Sequence, residues 1–136
     1  METEATRSLV QQFLTARSAG DVDAMAALLA DDAVWRLPQS ATFGPFQGRE
    51  AVAKALGGVS GSIFDPATVK RDVRKVIVDG DTAVVQQRLT ATTQKGKEYA
   101  NEYCWVYTCS DGKVALLEEY ADTLYASKIL FPRKPD

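Results

Sequence analysis

Leu9, Val10, Phe13 and Leu14 recur at helical spacing and predict an amphipathic helix over Thr3–Ala19. Gly20 ends it. Asp21 can cap a second helix whose stripe is Val22, Met25, Leu28 and Leu29. A short strand is predicted over Ala33–Leu37, stopped by Pro38, and then a loop, Gln39–Gly48, carrying Phe43, Pro45 and Phe46. A third helix runs from Arg49 to Leu56 and is expected to end at Gly57-Gly58, with Ser60–Pro66 as a linker. The period then changes from helical to two. Strands are predicted over Val69–Val78, Thr82–Thr93, Lys97–Cys109 and Lys113–Ala121, with turns at Asp79-Gly80, Lys95-Gly96 and Asp111-Gly112. Thr123 can begin a last short helix through Leu130. Three helices before a long meander predict an α+β fold with an antiparallel sheet, one face under the helices and a conical cavity between the layers.

Length and composition narrow this picture. A chain of 136 residues, 46% hydrophobic and 25% charged, reads as a single domain over residues 1–136 with an ordinary core. The net charge of −2 argues against a nucleic-acid partner. Lys70, Arg71, Arg74 and Lys75 read as a solvated strand face. No stretch is apolar enough for a membrane span or a signal-peptide core, so no membrane partner and a cytoplasmic location are expected. Cys104 and Cys109 share one predicted strand about 17 Å apart, too far for a disulfide. The chain has no histidine, which removes histidine triads and imidazole acid–base work. Proton transfer then falls to Asp, Glu, Tyr, Lys or Cys. No metal-ligand cluster is evident, and neither a metal nor another cofactor is expected.

The candidate chemistry lies in the last hairpin, where Asp122 ends an aromatic-rich strand. Register decides what meets it. With two-residue turns at Lys95-Gly96 and Asp111-Gly112, Arg88 faces Tyr103, Tyr103 faces Tyr120, and Asn101 faces Asp122. The inward set is then Arg88, Thr90, Asn101, Tyr103, Trp105, Glu118, Tyr120 and Asp122. With glycine bulges in both turns the middle strand flips, and Glu102, Cys104 and Val106 join Arg88 and Asp122. The first arrangement is preferred because it gives Asp122 a neutral partner in Asn101. Asp122 equally suits the N-cap of the helix that follows, and Arg88 equally suits a cross-strand pair with Glu102 or Glu118.

Three segments carry a family resemblance. Val10-Gln-Gln-Phe-Leu, continued by Gly20-Asp-Val-Asp-Ala-Met-Ala-Ala-Leu-Leu-Ala-Asp-Asp-Ala-Val-Trp35, resembles the opening of the SnoaL-like, ketosteroid-isomerase-like proteins of the nuclear transport factor 2 superfamily. Phe46-Gln-Gly-Arg-Glu-Ala-Val is similar to that family's third-helix entry, and Asp111-Gly-Lys-Val with Glu119-Tyr-Ala-Asp-Thr123 to its last hairpin. The resemblance implies a cone-shaped α+β barrel, often a homodimer through the outer sheet face. The family spans isomerases, epoxide hydrolases, cyclases, dehydratases and non-catalytic binding modules.

Residue by residue, the steroid-isomerase site does not carry over. Its tyrosine position falls at Phe13, its base near Leu37, and its acid near Cys104 or Trp105. Of the limonene-type epoxide hydrolase site, Asp122 and Arg88 match, while the other aspartate, the tyrosine and the asparagine fall at Thr90, Trp35 and Leu37. The expectation is a pocket for an apolar cyclic or polyketide-like molecule, either catalytic or a non-catalytic binding or dimerisation module. Asp122, Arg88 and Asn101 are the expected catalytic residues. Tyr103, Tyr120, Trp105, Trp35, Phe13, Phe43, Phe46 and Glu118 are the expected substrate contacts.

Overall fold

The computed structural model describes residues 1–132, without the side chains of residues 59 and 60. Helices α1 (Thr3–Ser18) and α2 (Val22–Leu28) form a hairpin. Gly20 turns it at φ +66°, and Asp21 caps α2 by accepting the Ala24 amide at 3.0 Å. Strands β1 (Leu29–Arg36) and β2 (Phe46–Gln47) follow, then α3 (Arg49–Ile63), a short 3₁₀ turn at Pro66–Thr68, and β3 (Lys70–Asp79). Strands β4 (Thr82–Thr92), β5 (Glu98–Ser110) and β6 (Lys113–Ala121) complete the meander, and α4 (Thr123–Leu130) closes the described chain.

The architecture is α+β, as expected, and the sheet of the cone does not close into a barrel. One feature of the sheet differs from the expectation. It has six strands in the order β2-β1-β6-β5-β4-β3, and it is mixed because β1 lies parallel to β6. Thus β1 extends the meander at its β6 edge instead of standing apart. Among the described residues no helix is long and apolar enough to cross a membrane.

The third helix passes through Gly57-Gly58 and ends seven residues later than its glycines suggest. A glycine inside a helix costs about 1 kcal/mol against alanine. Here tertiary contact offsets it: a Cβ at Gly57 would sit 2.7 Å from Val22 Cγ2, so the glycine lets α2 and α3 approach. The end of α3 is also capped from the sheet. Gln94 Nε2 donates to the carbonyls of Gly61 and Phe64, and the Gln94 amide donates to Ile63. The expected linker is therefore held against the β4–β5 hairpin.

Two departures from regular hairpins set the sheet register. The β4–β5 loop has three residues, Gln94 to Gly96, with Gly96 at φ +83°, so Arg88 pairs with Glu102 and Gln87 with Tyr103. The β5–β6 turn is a two-residue turn with Asp111 and Gly112 both at positive φ. One step further on, Ala115 is an extra residue: Val114 pairs with Cys109, but Leu116 pairs with Thr108. From there Trp105 lies opposite Glu119 and Cys104 opposite Tyr120.

The bulge reverses which residues of β6 point inward. Val114 and Leu117 are both fully buried although three residues apart. Leu117, Glu119 and Ala121 face the helices, and Leu116, Glu118 and Tyr120 face away. On β4 the buried residues are the odd ones, Ala83 through Ala91; on β5 they are Tyr99, Asn101, Trp105, Tyr107 and Cys109. The core forms where these meet the helices. Phe13 of α1 sets its ring edge-on to Tyr107 at 5.8 Å, and Phe46, Trp35, Trp105 and Tyr107 follow one another at 5.2–6.0 Å.

Candidate functional site

A cavity of about 260 Å³ opens between the concave sheet, α4 and the loop after β1. Its wall is largely apolar, with Leu37, Phe43, Ile63, Phe64, Leu89, Ala126, Leu130 and Phe131, interrupted by the hydroxyls of Ser40, Thr42, Thr123 and Ser127. Phe43 and Phe131 meet across it at 6.2 Å. Its floor is polar. Arg17 of α1, Arg71 of β3, Gln87 of β4, Tyr103 of β5 and Glu119 of β6 converge there beside Trp35 and Trp105. Small-molecule sites combine an apolar wall with a few convergent polar groups in this way.

Glu119 is the one carboxylate among the described lining residues. Burial pushes its pKa up to about 6, and the Arg17 charge and the Trp35 indole N–H act in the opposite direction. The indole nitrogen faces the carboxylate without closing a hydrogen bond of normal geometry. A carboxyl poised near neutrality inside an apolar cavity can either take or give a proton.

Tyr103 is held by a chain of hydrogen bonds along its own strand. Asn101 Nδ2 donates to the Tyr99 hydroxyl at 2.8 Å and to the Asp122 carbonyl at 3.1 Å. The Tyr99 and Tyr103 hydroxyls lie 2.7 Å apart. With Asn101 donating to Tyr99, the Tyr99 proton is free to go to Tyr103, and Tyr103 then donates into the cavity. Burial raises the pKa of both phenols, so they stay neutral and act as donors, not bases.

The cations come from opposite walls. The Arg17 guanidinium lies 4.1 Å over the Trp105 ring. Burial, and then the neighbouring Arg17 charge, lower the Arg71 pKa to about 10. Buried polar atoms without a protein hydrogen bond gather here: Arg17 Nε and Nη1, Trp35 Nε1, Gln87 Oε1 and Trp105 Nε1 all belong to lining residues. Native proteins satisfy nearly all such atoms, so a cluster of them marks a place for a ligand.

The domain family described as SnoaL-like matches residues 10–117. The chain belongs to that family. Solved structures with the same SnoaL-like fold include Bal32a, from a soil-derived mobile gene cassette, at 26% identity and TM-score 0.82, covering 96% of this chain and 99% of that one. A protein from Jannaschia sp. CCS1, whose proposed activity is that of a SnoaL-like polyketide cyclase, aligns at 20% identity and TM-score 0.79, covering 98% and 95%. An epoxide hydrolase of the LEH-like type from M. tuberculosis aligns at 22% and 0.73, covering 94% and 90%. No curated protein matches the chain.

Within this SnoaL-like frame the expected residues divide. Tyr103, Trp105, Trp35 and Phe43 line the cavity, as does Leu37. Asn101 is buried behind Tyr99 and acts on the cavity only through it. Phe13 lies in the core, and Phe46 stacks on Trp35. The other expected residues are not among those that line the cavity. Asp122 is exposed and caps α4 by accepting the Tyr125 amide at 3.0 Å. Arg88 pairs with Glu102 at 2.8 Å on the outer face, where Arg74 joins them at 3.0 Å. Glu118 pairs with Arg36 at 3.0 Å, and Tyr120 is 54% exposed. The Ala115 bulge is the physical reason for β6, because it turns residues 118 and 120 outward.

Arg17, Arg71, Gln87 and Glu119 were missed. The basic cluster of β3 is not one solvated face: the bulge between Val73 and Lys75 leaves Arg71 lining the cavity while Arg74 reaches Glu102 outside. Arg17 was visible as a charged residue on the Phe13 side of α1, four positions on, the spacing that places both on one face.

Two outcomes follow. Asp122→Ala should lose about 1 kcal/mol of stability as a helix cap and leave ligand binding in the cavity unchanged, measured by urea unfolding and calorimetric titration. Glu119 ionises later in the folded chain than in the unfolded one. Its contribution is present in full below pH 4.5 and is lost as pH rises through about 6. Unfolding across pH 4–8 should show wild type falling relative to Glu119→Gln by at most about 2 kcal/mol; a rise would contradict the burial.

Proposed function

We propose that the protein is a cofactor-independent acid–base enzyme acting on an apolar cyclic or polyketide-like small molecule, with Glu119 moving the proton. The observation that carries this reading is Glu119 itself, the carboxylate of the cavity, with a pKa near 6. As a base it would take a proton from a carbon beside a carbonyl. The C–H electron pair moves onto the carbonyl oxygen as an enolate, and the protonated Glu119 returns the proton at the same or another atom. Tyr103 can donate a hydrogen bond to the enolate oxygen, and the Arg17 and Arg71 charges favour its negative charge. Asn101 is a positioning residue through Tyr99.

A second reading, a non-catalytic ligand carrier, draws support from Phe13 and Leu37, which replace the tyrosine and base of the steroid-isomerase pattern. One screen separates the two. Cyclic enones, epoxides and polyketide-like aromatics are tested by thermal shift, and each hit is assayed for turnover. Glu119→Gln should bind a converted hit within a few-fold and lose turnover by roughly a hundredfold. Wild-type turnover in that variant would contradict the proton-transfer role of Glu119, and binding without any conversion would favour the carrier.

The outer sheet face supports a homodimer. Ile77 and Tyr120 are more than half exposed there, beside the partly exposed Val84, Val106 and Leu116. A dimer burying on the order of 1,000–2,000 Å² is expected; a monomer mass by ultracentrifugation at tens of micromolar would refute it. A cytoplasmic setting accords with free Cys104 and Cys109.

A further inference from the structure

The inward face of β4 is apolar at every position but one. Ala83, Val85, Leu89 and Ala91 are buried there, and Gln87 stands at the centre of the row with 2% of its surface exposed. A valine or leucine would fill that place with no polar atom to satisfy. A buried amide needs a partner at each end, and Gln87 Oε1 has none in the protein. Gln87 lines the floor of the cavity, so the partner its oxygen lacks is one that the cavity can hold.

Its cross-strand neighbour defines that partner. Gln87 pairs with Tyr103 of β5, which also lines the floor, and directly opposed residues share a face. The two offer opposite chemistry. Tyr103 accepts from the Tyr99 hydroxyl at 2.7 Å and keeps its own proton for the cavity, and burial holds the phenol protonated. Gln87 Oε1 offers lone pairs. The indole nitrogens of Trp35 and Trp105 are donors in the same lining, and neither bonds to it. A donor beside an acceptor fits a group that accepts and donates at one atom. A neutral hydroxyl does both; a carbonyl, an ether or a carboxylate only accepts.

We propose that Gln87 is a specificity-determining residue and that the ligand is a neutral ring enol or phenol, whose hydroxyl donates to Gln87 Oε1 and accepts from Tyr103. The inference rests on reading this cavity as the substrate site, and it names the substrate class. The hydroxyl oxygen is the one that Tyr103 holds as a carbonyl or enolate in the acid–base reaction. Glu119 takes the proton from the neighbouring carbon, the C–H pair forms the carbon–carbon double bond, and the carbonyl π pair moves to oxygen. The proton returned by Glu119 then goes to that oxygen, Glu119 is ionised again, and the new O–H meets Gln87. The amide thus favours the hydroxyl tautomer over the ketone.

The test uses 2-naphthol and 2-fluoronaphthalene, which carries a fluorine in place of the hydroxyl and has no proton to give. Their binding is compared by equilibrium dialysis at pH 6.5, where the phenol is neutral. Wild type should bind the naphthol at least roughly tenfold more tightly, because a site built around a hydroxyl rejects the analogue that lacks it. Gln87→Met keeps the length of the side chain and removes the acceptor. It should bring the two affinities within about twofold of each other while changing that of the fluoro compound little. Tyr103→Phe should weaken the naphthol several-fold more than the fluoro compound, and it decides the matter together with the wild-type comparison if Gln87→Met does not fold. Equal binding of the two by wild type, the result if the pair holds only a water, would overturn the proposal. So would absence of binding by either at sub-millimolar concentration, or an undiminished preference in Gln87→Met or Tyr103→Phe. The outcome is separable from the acid–base reading: a hydroxyl preference alongside full turnover in Glu119→Gln overturns that reading alone. No preference alongside lost turnover overturns this one alone.

Discussion

The extra residue Ala115 is the constraint on which the rest depends. A strand alternates its side chains, so strict alternation from buried Val114 would send Leu116, Glu118, Tyr120 and Asp122 toward the helices. The bulge moves the register by one and sends Leu117, Glu119 and Ala121 there instead. The acid that lines the cavity is fixed by that shift. It sets Glu119 opposite Trp105, on whose face Arg17 lies. It also leaves Glu118 to pair with Arg36 on the outside.

The cavity floor is costly to build. The Arg17 guanidinium and the Gln87 amide are withdrawn from water with Arg17 Nε and Nη1 and Gln87 Oε1 left without a hydrogen bond. What offsets this is the aromatic row Phe46, Trp35, Trp105, Tyr107 and Phe13, which buries large apolar area around the polar floor. Stability and function thus use different faces of the same rings. Trp105 packs in the core and also carries the Arg17 cation. The tyrosine chain follows the same economy, since Asn101 ties Tyr99 to the start of α4 through the Asp122 carbonyl and leaves the Tyr103 hydroxyl for the cavity.

Much of the fold was legible in the chain. The helical spacing of Leu9, Val10 and Phe13, the Asp21 cap and the glycine turns place α1, α2 and β3 to β6 within a residue or two, because each depends on local chemistry. By contrast, β1 begins at Leu29, four residues before the expected Ala33, and β2 lies in the expected loop. What lay beyond local chemistry was harder to read. The run of α3 past Gly57-Gly58 depends on Val22 and Gln94, which are distant in sequence. The parallel pairing of β1 with β6 has no local signature. For the site, Tyr103, Trp105, Trp35 and Phe43 were legible from aromatic placement. Asp122 drew attention as the acid at the end of a strand, although its Asp-Thr context also reads as a cap, and the structure places it in that role. Glu119 stood next to the right positions, hidden by a bulge that no glycine or proline announces. On β4 the alternation of Val85, Leu89 and Ala91 against Gln86, Arg88 and Thr90 did point the odd residues inward.

The claim that a one-residue bulge selects Glu119 over Asp122 can be tested without a substrate. Cross-strand nuclear Overhauser effects between backbone protons of β5 and β6 report register directly. The pairs Trp105 with Glu119 and Cys104 with Tyr120 are predicted, together with a break of register at Ala115. Contacts of Tyr103 with Tyr120 and of Trp105 with Glu118, in unbroken register from the Asp111-Gly112 turn, would contradict the account.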